Sequence, residues 1–358
     1  MPRIRVAVLF GGSSNEYEVS LRSAASVIAN LDRDRYEVTR IGITREGAWY
    51  CYEGEHEAIE ADRWQADARC YPVQLPLGVR ESDKYLLVER SGTTEPLPVD
   101  VVFPVLHGRY GEDGTLQGLL ELAGLPYVGC GVAASAMCMD KAVAQATVRG
   151  TGIRTARAVE VRVDEDRETA AARAGGLTYP LYVKPVRSGS SIGMTMARDR
   201  SELLEGLDRA FDHDDKVLIE EEVDGFEVGC ALLGETEPEL GVIDEVELAP
   251  GGFFDYEEKY SLRTSAIRLP ARLDAAVADE VRRAARRIYR ALGCRGLARV
   301  DLFVTAAGGV VFNEVNTMPG FTAHSRYPRM WAAAGVAFPE LLDRIVAAAL
   351  AREPQRCE

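Results

Sequence analysis

Two apolar runs near the C-terminus, GLARVDLFV (Gly296 to Val304) and VVFNEVN (Val310 to Asn316), are separated only by TAAGG. Runs of this length and composition read as strands, and so short a Gly-containing loop makes them an antiparallel hairpin. Each strand carries an acid among residues that belong in a core. If the hairpin centres near Ala307, Asp301 lies opposite Asn313 or Glu314. The second register sets two carboxylates roughly 4.5 to 5.5 Å apart at their β-carbons, and like charges so placed destabilise a sheet. A bound cation removes the objection, because Mg2+ is held by one or two carboxylates together with substrate phosphates. The plainer alternative is a solvated strand face with ordinary acids.

The chain around this hairpin has 358 residues, enough for two or three domains. Its formal charge of -14 argues against nucleic acid or an anionic membrane as the main partner. A phosphate ligand would need local basic groups. Seven scattered cysteines without CxxC spacing point to free thiols in a reducing cytoplasm and to no zinc site. The N-terminus passes directly into the strand-like RIRVAVLF, which leaves no signal sequence, and no apolar run reaches the length of about 18 residues that a membrane span needs.

The first third reads as α/β. A buried strand at Ile4 to Phe10 ends in GGSSNEYE and is followed by a helical pattern to Asn30 and a strand at Tyr36 to Thr44. A further strand, VDVVFPVLHG, precedes the helix TLQGLLELAG. This pattern predicts a small parallel sheet whose carboxyl ends carry GGSS and HGRYGEDG, the place where such sheets bind ligands. The domain boundaries are expected at 1–130, 131–225 and 226–358. In the last part, Val277, Val281, Ala284, Ile288 and Leu292 share one helical face that Gly293 terminates, and these are core residues.

Three motifs of the middle region carry chemistry. The loop RSGSSIG (Arg187 to Gly193) lies beside Lys184, and its backbone amides and hydroxyls can meet phosphate oxygens; it lacks the GK[ST] ending of a P-loop. Lys141 and Lys184 can each neutralise phosphate, with Lys184 set in the apolar LYVKPV. KVLIEEEVDGFE places Glu220, Glu221 and Glu222 at a strand end and Glu227 beyond a turn, which suits either an acidic loop or a ribose and adenine site. GCGVAA (Gly129 to Ala134) fits a relaxed dinucleotide fingerprint in a poor context. His107 ends a strand where a ligand can reach it, and the default for each of the four histidines is a structural role.

Taken together, LFGGSSNEYEVSLRSA, HGRYGEDGTLQG, MDK, VKPVRSGSSIGM, LIEE, FFDYEEKY, RVDLF and NEVNTMPGFT resemble, in family order, the D-alanine:D-alanine ligases of the ATP-grasp superfamily. The resemblance covers essentially the whole chain and implies an α/β (α+β) ATP-grasp fold of three domains, with a parallel α/β domain first and ATP between the second and third. It implies that ATP phosphorylates the carboxylate of a first D-alanine and that the amine of a second D-residue attacks the acyl phosphate. By the same resemblance Asp301, Glu314 and Asn316 ligate two Mg2+ ions, for which Mn2+ can substitute. Lys141, Lys184, Ser191, Glu220, Glu221, Glu227 and Lys259 serve ATP, and Glu16 holds the first ammonium group. Arg299 and the Gly320 N-H receive the oxyanion. Ser190 and Tyr260 link to Glu16 to close a loop over the site, and the family implies a homodimer.

For the second substrate, EYEVS, GFFDYEEKY and SRYP look most like the VanG-type D-alanine:D-serine ligases. That likeness gives His107, Asp244, Phe254, Ser325 and Arg326 to substrate binding, with D-serine slightly favoured over D-alanine. The competing readings are a housekeeping D-alanine:D-alanine ligase, another ATP-grasp carboxylate-amine ligase, an NAD-dependent dehydrogenase using GCGVAA, and a non-catalytic nucleotide-binding module.

Overall fold

The computed structural model describes residues 2–77, 84–248 and 265–352. Phe254, Lys259 and Tyr260 lie outside the described residues.

The first sheet has seven strands in the order Thr93–Pro98, Tyr85–Arg90, Cys70–Gln74, Trp49–Tyr52, Tyr36–Ile43, Ile4–Gly11 and Val101–Pro104. Its parallel part consists of the three strands expected from sequence, with Ile4–Gly11 between the other two. The remaining four extend it antiparallel, so the sheet is mixed rather than parallel throughout. These added strands are short, and Thr93–Pro98 is largely exposed; none makes the long apolar run by which the parallel strands announce themselves.

The second sheet has four strands, ordered Thr195–Ala197, Leu181–Pro185, Lys216–Glu221 and Ala158–Arg162. Helices Arg167–Arg173 and Arg200–Phe211 cover one face through Ala170, Leu203 and Leu207, which bury against Leu181, Val183 and Val217. The third sheet is built around Gly225–Gly234 and the Gly296–Thr305/Val310–Asn316 hairpin. Helix Ala275–Ala291 lies on it. Its N-terminus is capped by Asp274, which accepts from the Val277 N-H at 2.8 Å, and Val281, Ala284 and Ile288 face the sheet. The chain then turns through Gly293, whose φ of +66° suits a residue without a β-carbon.

Helices Val132–Met139 and Lys141–Gly150 bury Ala134, Cys138, Ala144 and Val148 in this third core, and Arg154–Thr155 pairs with the hairpin. Residues up to 155 thus pack with the C-terminal sheet, although they precede the second sheet in sequence. The C-terminal helices Arg326–Ala333 and Phe338–Leu350 join the N-terminal core instead, where Phe321 meets Phe103 edge-on with ring centroids 5.7 Å apart.

The hairpin register is Asp301 opposite Glu314, followed by a bulge that brings Leu302 opposite Phe312 and leaves Asn313 as the extra residue. The two registers open in the sequence are thereby resolved. The bulge turns a neighbouring pair, Asn313 and Glu314, toward the space between the second and third sheets.

Candidate active site

That space is a cleft of ≈ 610 Å³. Its apolar walls include Ile192 and Met194 from the Gly/Ser loop and Phe226, Val246, Phe303 and Phe312 from the third sheet. Polar groups sit at its ends. Lys184 donates to Glu220, whose other oxygen accepts from Gln145 Nε2 at 2.6 Å. Glu220 is buried by this pairing, while Glu221 accepts from Arg157 and from the Thr178 N-H. Lys141, the first residue of its helix, is aimed by Asp140, which caps that helix and binds Lys216 Nζ at 2.5 Å. The Lys141 ammonium donates to the Ser188 carbonyl at 2.7 Å and stands 3.8 Å from Glu314.

A second cleft of ≈ 360 Å³ adjoins the first, and Lys141, Ser188, Glu227 and Glu314 line both. Glu16, at the start of helix Tyr17–Asn30, accepts from Ser190 Oγ across 174 residues of chain. The contact is possible because Gly108 and Gly189 are glycines: a β-carbon on either would stand 2.5 or 2.3 Å from Glu16 Oε2. Ser190 and Ser191 have φ of +50° and +59°, a left-handed geometry that non-glycine residues adopt at a cost and that clusters at functional sites.

His107 is buried, with Nδ1 2.9 Å from the Met318 carbonyl and Nε2 3.1 Å from Ser23 Oγ. Burial lowers its pKa against the opposing charge of Glu16, so the ring is neutral. A carbonyl can only accept, so Nδ1 carries the proton and Nε2 accepts from Ser23. Ser23 Oγ in turn accepts from the Phe321 N-H at 3.3 Å. Glu112, which sequence reasoning passed over within HGRYGEDG, accepts from the backbone N-H of Gly108 and of Met318 at 2.9 and 2.8 Å. Burial, helped by the charge of Glu16, pushes its carboxyl up to about 7. His107 and Glu112 together moor the turn that carries Gly320, where a β-carbon would meet Ser325 Oγ at 2.8 Å.

Two arginines close the far wall. Arg299 grips Asp301 with Nε and Nη2 at 2.8 and 2.7 Å. Burial opposes its charge, but Asp301 overrides this and holds the guanidinium above its ordinary range. Arg326 makes a two-pronged pair with Asp244, both bonds 2.8 Å, and donates to Glu227 at 2.7 Å. It lies 3.6 Å from Asp301 as well. Gly229 makes room for this pair, since a β-carbon there would be 2.5 Å from Arg326 Nη2. Asp244 is fully buried behind Arg326 and does not line the cleft, whereas Ser325 and Arg326 do.

Asp301, Glu314 and Asn316 offer two carboxylates and one amide oxygen, a donor set suited to a hard divalent cation. Asn316 Nδ2 now donates to Asp301 at 3.0 Å. Among the described residues no group of three or more His, Cys, Asp or Glu forms a complete metal cage.

Residues 5–130 match the family described as D-ala D-ala ligase N-terminus, and residues 148–347 match D-ala D-ala ligase C-terminus. The chain belongs to the D-alanine:D-alanine ligase family. The VanA vancomycin/teicoplanin A-type resistance protein of Enterococcus faecium is 44% identical over 98% of this chain and 99% of its own. A D-alanine--D-alanine ligase of Caldicellulosiruptor bescii is 41% identical over 99% of this chain and 98% of its own. Among solved structures, the VanG D-Ala:D-Ser ligase from Enterococcus faecalis superposes with a TM-score of 0.88 at 47% identity, covering 97% of this chain and 100% of the other. The D-alanine--D-alanine ligase from Bacillus anthracis complexed with ATP has a TM-score of 0.73 at 30% identity, covering 98% of each chain. The mixed α/β architecture is the ATP-grasp fold of this ligase family. Membership removes the dehydrogenase reading of GCGVAA, whose Gly131 precedes helix Val132–Met139 in the third core.

Proposed function

We propose that the enzyme joins D-alanine to a second D-amino acid at the expense of ATP, with D-serine favoured as the second substrate. One observation carries this reading: a large, partly apolar cleft meets a smaller polar one at Lys141, Ser188, Glu227 and Glu314. Adenine lies among Met194, Phe226 and Phe312, with Glu220, Glu221 and Glu227 serving the adenine and ribose end. Lys141, Lys184 and Ser191 meet the phosphates. A divalent cation held by Asp301, Glu314 and Asn316 would offset phosphate charge. The segment expected at 131–225 divides between two cores, since Ala134, Cys138, Ala144 and Val148 pack with the third sheet and Leu181, Val183 and Leu203 with the second.

Glu16, held by Ser190, anchors the ammonium of the first D-alanine and points its carboxylate at the junction. The γ-phosphoryl group passes to a carboxylate oxygen and ADP departs. The uncharged amine of the second substrate then attacks the acyl carbon, its nitrogen gives up one proton to the departing phosphate, and phosphate leaves with the oxygen it received. Arg299 and the Gly320 N-H receive the negative oxygen of the tetrahedral intermediate, the kind of preorganised donor set that lowers such barriers. Tyr260 completes the link to Glu16 and keeps water from the acyl phosphate.

The D-serine preference rests on Ser325 and Arg326 at the smaller cleft and on the likeness to a D-Ala:D-Ser ligase. Asp244 acts on substrate only through Arg326. The test is ADP release from ATP, Mg2+ and D-alanine, with and without equimolar D-serine, and identification of the dipeptides. D-alanyl-D-serine as main product supports the preference. D-alanyl-D-alanine alone makes this a housekeeping ligase, and absence of ADP release in both mixtures overturns the reading. Arg326→Lys should lower the D-serine to D-alanine product ratio, and an unchanged ratio would remove Arg326 from substrate selection.

A further inference from the structure

A third cavity, ≈ 380 Å³, opens in the N-terminal domain at the carboxyl ends of Ile4–Gly11, Tyr36–Ile43 and Val101–Pro104. The central strand has its two parallel neighbours on opposite sides, so the loops leaving it and Val101–Pro104 diverge around a crevice of the kind in which open α/β sheets bind ligands. Ile43, Trp49, Leu106, Leu116 and Leu119 give this crevice an apolar interior, and only His107 is shared with the smaller cleft of the active site.

The rim has a different character. Arg109 and Tyr110 stand at it, with the guanidinium 4.9 Å from the centre of the ring. Among the described residues Arg109 has no ion pair, although acids outnumber bases in this chain. Tyr110 has φ of +65°, a conformation L side chains rarely adopt, and its N-H is fixed by Asp113 Oδ2 at 2.8 Å. The strain leaves a large aromatic ring 46% exposed at the mouth of an apolar cavity instead of burying it. A spare cation, a presented aromatic edge and an apolar interior of this size together describe a ligand with a small aromatic body and one carboxylate.

We infer that this cavity binds a small aromatic carboxylate, its ring among Trp49, Leu106, Leu116 and Leu119 and its carboxylate on Arg109, at a site separate from both active-site clefts. The wall between this site and the active site is Ser14. Its hydroxyl donates to the His107 carbonyl at 2.7 Å and accepts from the Glu16 N-H at 3.1 Å. An occupant that braces the Gly12–Ser14 and His107–Gly111 loops holds Glu16 in the position it has against Ser190, so it lowers the Kd for the first amino acid and leaves that for ATP unchanged. By linkage the amino acid tightens the occupant in equal measure.

The probe is 3-phenylpropionate, titrated into the full chain by calorimetry and followed by saturation-transfer NMR. One molecule per chain should bind with Kd on the order of 0.1–1 mM, as a ligand of this size allows. Leu119→Trp, which fills the cavity from a half-exposed helix position, should abolish binding, and Arg109→Gln should weaken it about tenfold. Saturating D-alanine should tighten the probe. Displacement by D-alanine would mean that the probe occupies the amino-acid cleft, and would overturn the inference. Equal binding by wild type and both variants, or no binding by wild type up to about 10 mM, would overturn it as well. Retained ligase activity in Leu119→Trp separates loss of the site from loss of the fold.

Discussion

The two active-site clefts are held together differently. In the larger one Lys184 and Glu220 come from adjacent strands and satisfy one another, and Gln145 reaches Glu220 from a helix that packs with the third sheet. In the smaller one several polar groups are anchored by partners far away in the chain. Glu16 meets Ser190 across 174 residues, Glu112 meets Met318 across 206 and His107 meets Met318 across 211. The difference teaches that the first cleft can be altered piece by piece, whereas the second exists only when the separate parts of the chain are docked. Its residues should therefore report on stability as well as on substrate.

Arg326→Leu should bring out this contrast most strongly. It leaves the fully buried Asp244 carboxylate without its guanidinium and removes one partner of Glu227. The cost should be about 3–5 kcal/mol of unfolding free energy, as for other broken buried pairs. Replacing Asp244 and Arg326 together with leucine should recover much of it. Urea denaturation of the two variants decides the matter, and a loss below about 1 kcal/mol in the single variant would break the comparison.

Lys184→Met tests the other side. Loss of one charged hydrogen-bonding group should raise the KM for ATP about 10–100-fold, with the KM for D-alanine nearly unchanged. A parallel rise in both KM values would mean that the larger cleft is as interlocked as the smaller.

The smallest expected effect comes from Glu112. Its carboxyl titrates near 7 in the folded protein, above the ordinary value of 4.5. A raised pKa means that the folded state holds the proton more tightly, so the stabilisation is complete below pH 4.5 and is lost as the pH rises through about 7. Glu112→Gln removes the titration, and its Tm should fall less than that of the wild type across this interval. Identical slopes would show that Glu112 titrates normally.

Much of this arrangement was legible in the sequence because it is local. The five-residue connection between two apolar runs brought Asp301 beside Glu314, and only the bulge at Asn313 was needed to choose the register. Family likeness paired Glu16 with Ser190, which no spacing could have done. Other features were hidden for physical reasons. The sequence does not reveal that Arg326, placed next to Ser325 at the cleft, is tied by two carboxylates that approach from other strands. Glu112 looked like one acid of a polar loop, and only the closed fold brings it against the Met318 N-H. The boundary expected at residue 131 followed a change of composition, while the apolar faces of the two helices that follow find their match in a sheet formed much later in the chain.

The sharpest test follows one oxygen atom. D-alanine labelled with 18O in its carboxylate should give dipeptide and inorganic phosphate carrying one 18O per turnover, because the oxygen that accepts the phosphoryl group leaves with it. Label found in AMP, or phosphate free of label while dipeptide forms, would contradict phosphoryl transfer to D-alanine at the junction of the two clefts.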